Sequence, residues 1–232
     1  MNALDLGVNL FVTLFALIDP IGNIPIFAAA TVGATAMQRR LVSTYLVALV
    51  VVFLLFFYFT GLAVLEFFGI SLAAFRIAGG ILLLLLGLEM AREDFLKMFA
   101  DIDPTHDAGD VRGYAKRRFQ RLVVPFAIPL MIGPGAISAV IISAGEAQAV
   151  GTEATVGGVI AIFAAGLATL ACFWMTGPIS RVLGDVGMAI VVRVLGLILC
   201  ALAIQFILAG LGEAIPGMFS GAVTAPYPDS GH

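Results

Sequence analysis

Residues Asp19 to Phe27 read DPIGNIPIF, and residues Ile132 to Ser138 read IGPGAIS. Each is a proline- and glycine-rich break set inside a long apolar stretch. Proline removes a backbone donor and clashes with the preceding turn, so neither stretch is expected to run through as one regular helix. Each break is followed by a lone arginine with glycine three residues on: RIAG from Arg76 to Gly79 and RVLG from Arg193 to Gly196. Pro20 and Pro134 lie 114 positions apart, and Arg76 and Arg193 lie 117 apart. A duplicated apolar unit with helix breaks in matching places is a pointer to a transporter site.

The composition makes the solvent a bilayer. Hydrophobic residues are 61% of the 232, charged residues only 12%, and the mean hydropathy is +1.10. Soluble domains carry about 25% charged residues. The pattern predicts an all-α polytopic membrane protein with six apolar segments, at 6–34, 41–65, 71–90, 121–145, 155–178 and 186–211, each long enough for about 30 Å of hydrocarbon. The first is longer than one straight span needs and reads as two short helices meeting at an unwound turn, in a broken span or a re-entrant hairpin. Four regions are expected: a first three-helix repeat over 1–93, a charged linker over 94–120, a second repeat over 121–212, and a Pro/Gly-rich tail over 213–232.

Basic residues set the orientation, because positive charge is retained on the cytoplasmic side. Of the 12 Lys and Arg residues, eleven fall on one face: Arg39 and Arg40, seven between Arg92 and Arg121, then Arg181 and Arg193. Arg76 alone belongs to the other. Both termini are therefore expected outside the cytoplasm. Three spans per half turn the second half over relative to the first, so the repeat is an inverted one. The N-terminus MNALDL has no basic region and does not read as a cleaved signal peptide.

Inversion gives the breaks a spatial meaning. Asp19 lies 13 residues past Leu6, on the order of 20 Å along a helix, and Gly133 lies 12 past Arg121, about 18 Å from the other face. Irregular backbone at such depth is tolerated only when buried in protein or lining a water-filled cavity. The expected substrate site therefore joins Asp19, Pro20, Gly22 and Asn23 of one break to Gly133, Pro134, Gly135, Ala136 and Ser138 of the other. Half-helix N-termini after the breaks would offer N–H groups to a carboxylate. An ionisable group deep in a membrane is costly, which makes Asp19 a candidate for proton coupling; its alternative role is a helix cap. Asn23 can bond a ligand or satisfy the turn. Arg76 and Arg193 either snorkel to the interface or approach the midplane, one pairing Asp19 and either holding a carboxylate. Gly79, Gly80, Gly87, Gly158, Gly166, Gly177 and Gly196 read as close-packing positions between helices. Glu89 and Gln205 read as interfacial and interhelical residues outside the site.

Other chemistries lack their residues. GPGAIS has no GxGxxG or GK[ST] and follows no predicted strand, so it is not a nucleotide loop. No GxSxG or HExxH is present, and the two histidines, His106 and His232, fall in the linker and tail, so an enzyme is not expected. No metal site or cofactor is expected: the histidines lack partners at ligand spacing, and Cys172 and Cys200 lack CxxC spacing. The basic residues lie between spans and form no nucleic-acid face.

DPIGNIPIF near the N-terminus, a basic stretch leading into VVPFAIPLMIGPGAIS at mid-chain, and six spans at this spacing resemble the MarC family of bacterial and archaeal inner-membrane proteins. The resemblance covers about residues 5 to 212. The family includes neutral amino-acid transporters of the SnatA type and is placed near the LysE exporter superfamily. The resemblance therefore implies transport of small neutral amino acids such as glycine and alanine, with protons as a coupling ion; an association with multiple antibiotic resistance is implied more weakly. Many members carry asparagine where this chain has Asp19.

Together these readings predict a secondary transporter of a small zwitterionic substrate in a bacterial or archaeal inner membrane, with lipid as its surroundings and a homo-oligomer left open. Two alternatives stand beside it. A lipid-linked phosphate flippase would use Arg76 and Arg193 as phosphate ligands, and a membrane scaffold or regulatory subunit would need no polar site at the midplane.

Overall fold

The computed structural model describes residues 2–92 and 110–215. Among them the chain is entirely helical. Helix α1 (Ala3–Ile18) begins with a reciprocal cap between Asn2 and Asp5 and buries Leu6, Leu10, Leu14 and Ile18, one row at four-residue spacing. A break over 19–23 leads into α2 (Ile24–Ala30), all seven residues of which are buried. Thr35 and Gln38 cap α3 (Ala36–Phe67), and Ser71 caps α4 (Leu72–Met90).

The second half opens with α5 (Val111–Leu122), capped by Asp110. It runs into an irregular segment, Val123–Met131, in which Val124 and Ile128 adopt extended backbone. Each immediately precedes a proline, Pro125 and Pro129, whose ring disfavours the helical conformation of the residue before it. Helix α6 (Pro134–Val150) then starts on a proline, followed by α7 (Thr152–Trp174) and α8 (Thr176–Ala214). Gly184, at φ 60°, bends α8 and sets off its apolar part, Val186–Ala214.

Among the described residues four helices are long and apolar enough to cross a membrane: α3, α4, α7 and the Val186–Ala214 part of α8. They match the expected segments at 41–65, 71–90, 155–178 and 186–211. The other two, 6–34 and 121–145, are not continuous spans, because their prolines divide them into pieces. The first segment nevertheless traverses the bundle rather than turning back. A Cβ on Gly7 would lie 3.3 Å from the Gly157 carbonyl oxygen near the start of α7, whereas the Phe27 ring stacks on Phe173 near its end, 4.6 Å between centroids. The segment thus runs the length of α7 in two pieces.

The expected linker proves helical where described: α5 occupies Val111–Leu122, with Tyr114, Ala115, Arg118 and Leu122 on a buried face. The rest of that linker with His106, and the tail beyond 215 with His232, lie outside the described residues.

Packing relies on small residues. The most extensive helix pair is α4 with α8, running antiparallel. A Cβ on Gly80 would lie 2.7 Å from the Ala203 carbonyl oxygen, and one on Gly87 would lie 2.8 Å from that of Gly196. Such backbone approach is how helices associate where lipid offers no hydrophobic driving force. Gly158 seats the Tyr58 ring, Gly166 seats Val51, and Gly79 receives Pro134. Large side chains point outward instead, with Phe56, Phe59, Leu85, Ile160, Phe163 and Leu197 all exposed.

Candidate functional site

Alpha1, α6 and α8, with Arg76 of α4, line a half-open cavity of about 590 Å³. One end lies among Leu6, Glu146, Arg76 and Ala209, near the helix ends; the other lies at Leu17, Gly135 and Phe206, at the second break. Polar groups recur along its wall: Asn9 and Thr13 from α1, Ser138, Ser143 and Glu146 from α6, and Gln205 from α8. Asn9 and Thr13 are four apart, Ser143 and Glu146 three apart, and Ser138 lies two turns before Glu146, which keeps one face of α1 and of α6 inward.

The inner end is the start of α6. Gly133 is its N-cap with no capping side chain, and Pro134 at the first position has no N–H to offer. The N–H groups of Gly135 and Ala136 therefore sit at the positive end of a 17-residue helix. Ser138 is 1% exposed, lines the cavity, and its Oγ has no hydrogen-bond partner. A buried hydroxyl left without a partner costs about 1–3 kcal/mol. A bound polar group would remove that cost.

The first break is arranged differently. Asp19 ends α1 in left-handed backbone, φ 44°, and its Oδ1 accepts the Gly22 N–H at 3.0 Å. Asn23 is 3% exposed and donates from Nδ2 to the Ile18 carbonyl at 2.7 Å. Both polar side chains thus satisfy the turn that carries them. Gly22 is buried where a Cβ would lie 2.6 Å from Leu195 Cδ2, and Pro20 is buried beside it. Asp19, Gly22 and Asn23 border a separate void of about 20 Å³, which they share with Leu130 of the other break. Leu17 borders both spaces.

The two breaks are therefore neighbours, but their polar groups do not line one cavity. Leu17 and Phe206 pack on Gly135 of the second break: a Cβ on Gly135 would come within 2.7 Å of the Phe206 ring and 3.3 Å of Leu17. Gly133 and Ala136 are buried, Gly133 against Pro129 and Leu83. The arginines also part company. Arg76 is 17% exposed, lines the cavity and forms an ion pair with Glu213, not with Asp19. Arg193 is exposed on α8, within a turn of Gly196, which packs on Met90 at the far end of α4. Seventeen residues of α8 separate Arg193 from Gly210, the position facing Arg76, or about 26 Å along the helix. One ligand does not span both.

Sequence reading missed Asn9, Thr13, Ser143 and Glu146 and set Gln205 aside. Their signal was polar residues at helical spacing on otherwise apolar faces.

Comparisons with known proteins give the family of the chain. The family model described as MarC family integral membrane protein matches residues 4–215. UPF0056 membrane protein YhcE of Escherichia coli (strain K12) is 34% identical over 210 residues, 90% of this chain and 94% of that protein. A UPF0056 membrane protein of Buchnera aphidicola subsp. Acyrthosiphon pisum is 33% identical over 218 residues, covering 93% and 96%. One from Methanocaldococcus jannaschii is 34% identical over 208 residues, covering 88% and 95%. No solved structure matches. The chain is a membrane protein with relatives in bacteria and archaea, and it belongs to the MarC family of integral membrane proteins.

Proposed function

We propose that this protein is a secondary transporter of small neutral amino acids of the glycine and alanine class, alternating access between two inverted halves. The observation that carries the reading is the cavity whose inner end meets the uncapped start of α6 and the unpartnered Ser138 hydroxyl. A substrate carboxylate fits the N–H of Gly135 with the Ser138 Oγ, both on the cavity wall. An ammonium fits the Thr13 hydroxyl or the Gln205 amide oxygen on the wall nearest that end. Polar groups in such a belt fit a water-filled path better than a lipid-facing surface.

The helix contacts support the inverted halves. Alpha2 packs on α8 as α6 packs on α4, and α1 packs on α7 as α5 packs on α3. These are reciprocal exchanges between halves, as a twofold relation would give. In this reading both termini lie outside the cytoplasm, at the end where the cavity holds Arg76, and the layer of Leu17, Gly135 and Phe206 closes the path inward. Rocking of one half against the other would part that layer. The separation of Arg76 from Arg193 leaves the phosphate-flippase reading without its shared ligand pair.

Proteoliposomes of purified protein test this with radiolabelled glycine and alanine, with and without an inward pH gradient. Saturable uptake competed by small amino acids is expected. Ser138→Ala should lower uptake, because it removes a polar group from the inner end of the cavity. Well-folded protein that moves neither amino acid in either direction would sink the proposal.

A further inference from the structure

At the opposite end of the bundle from Arg76, the first turn of α3 meets the junction of α7 and α8. A cavity of about 210 Å³ lies there, lined by Ala36, Arg39, Arg40, Trp174, Gly177 and Pro178 among others. The Arg40 guanidinium lies over the Trp174 ring, 5.4 Å from its centroid. Arg39 reaches Gly177 so closely that a Cβ there would lie 3.0 Å from Nη1. Two positive side chains thus converge on one small space, and among the described residues no carboxylate lines it.

The groups here are unsatisfied. The Nε of Arg39 is buried with no hydrogen-bond partner. Thr176, next in the chain to Gly177, is fully buried with its Oγ1 also unpartnered. Arg39 is half-buried and Arg40 exposed, so the guanidiniums can be reached from solvent while the buried Arg39 Nε lacks an acceptor, which an oxyanion would supply. The place in the fold narrows the choice. The cavity sits at the ends of two membrane-spanning helices, and Met37, Trp174 and Met175 around it are exposed apolar side chains. Arginine beside tryptophan at a helix end is suited to the headgroup layer, where phosphate is the abundant anion.

We propose that Arg39 and Arg40 form a phosphate-binding site, with a lipid headgroup as the source that its position favours. The guanidiniums hold the phosphate oxygens, and glycerol and acyl chains leave along Trp174 and the exposed apolar residues beside it. This site is independent of the cavity proposed for transport.

The test measures binding by native mass spectrometry of the full-length protein in detergent. The probes are phosphatidylglycerol, the uncharged and phosphate-free monogalactosyl diacylglycerol, and millimolar inorganic phosphate. Phosphatidylglycerol is expected to bind and the galactolipid not to. Arg39→Ala with Arg40→Ala should weaken it roughly thirtyfold, while Arg112→Ala, an exposed charge on α5, should leave it unchanged. Binding of inorganic phosphate that the same two substitutions abolish would keep the site and make its source the free ion. Equal binding of phosphatidylglycerol and galactolipid by the unaltered protein overturns the proposal even if the double variant does not fold. So does an equal loss on Arg112→Ala, which would mean diffuse charge attraction.

Discussion

Two readings of Asp19 are entangled in the sequence, a coupling carboxylate and a turn residue. Its backbone is left-handed and its Oδ1 accepts one N–H, and asparagine meets both demands as well as aspartate does. Asp19→Asn is therefore expected to unfold at nearly the same temperature as the parent, so any loss of pH-driven uptake reports the charge itself. Asp19→Ala keeps neither the acceptor nor the tolerance of φ 44°, and should lose about 2 kcal/mol. Thermal unfolding of the two purified variants checks the pair; equal destabilisation by both would refute the turn assignment. If Asp19→Asn retains full pH-driven uptake, Asp19 is not the coupling acid.

At the scale of elements, the α4–α8 contact is set by glycines facing carbonyl oxygens. Gly87 and Gly196 face one another's backbone, and a Cβ on either would come within 2.8 Å of the other's oxygen. A leucine at Gly87 would meet the Gly196 oxygen and the Cys200 backbone nitrogen as well as the Cys200 Sγ, and backbone cannot turn aside as a side chain can. Gly87→Leu is expected to cost at least about 3 kcal/mol and to deplete folded protein in the membrane. By contrast Gly145, whose Cβ would meet only Leu62 at 3.8 Å, should accept alanine with little change. Size-exclusion profiles of both variants after mild detergent extraction distinguish them. Behind this contact, Phe27, Phe126 and Phe173 join α2, the irregular segment and α7, with centroids 4.6 to 6.4 Å apart, and hold the short pieces of both broken segments together.

For the whole molecule, the structure places the start of α1 and the end of α8 at one end of the bundle, and the start of α3 with the end of α7 at the other. With Cys172 and Cys200 replaced by serine, Asn9→Cys is expected to react with an impermeant maleimide from outside the cell, and Ala36→Cys only after permeabilisation. Labelling of both from the same side would overturn the proposed arrangement. Labelling at Asn9→Cys should also fall when glycine or alanine occupies the cavity.

Periodicity and composition by themselves determined that this is a helical membrane protein, where four of its spans lie and where the two breaks fall. Those properties are local: hydropathy over about 20 residues and the missing N–H of proline act within one segment, whatever surrounds it. The small residues that would pack closely, such as Gly87 and Gly196, were legible for the same reason. Only the tertiary structure decided which polar residues meet. DPIGNIPIF and IGPGAIS look equivalent as strings. Yet the side chains of Asp19 and Asn23 bond within their own turn, while Ser138 faces a cavity with its hydroxyl unpaired. Arg76 finds Glu213, 137 positions away, rather than Asp19. Which groups line a cavity depends on neighbours contributed by α1, α6 and α8, and residues so distant in the chain share no local pattern. Physical proximity alone selects among them.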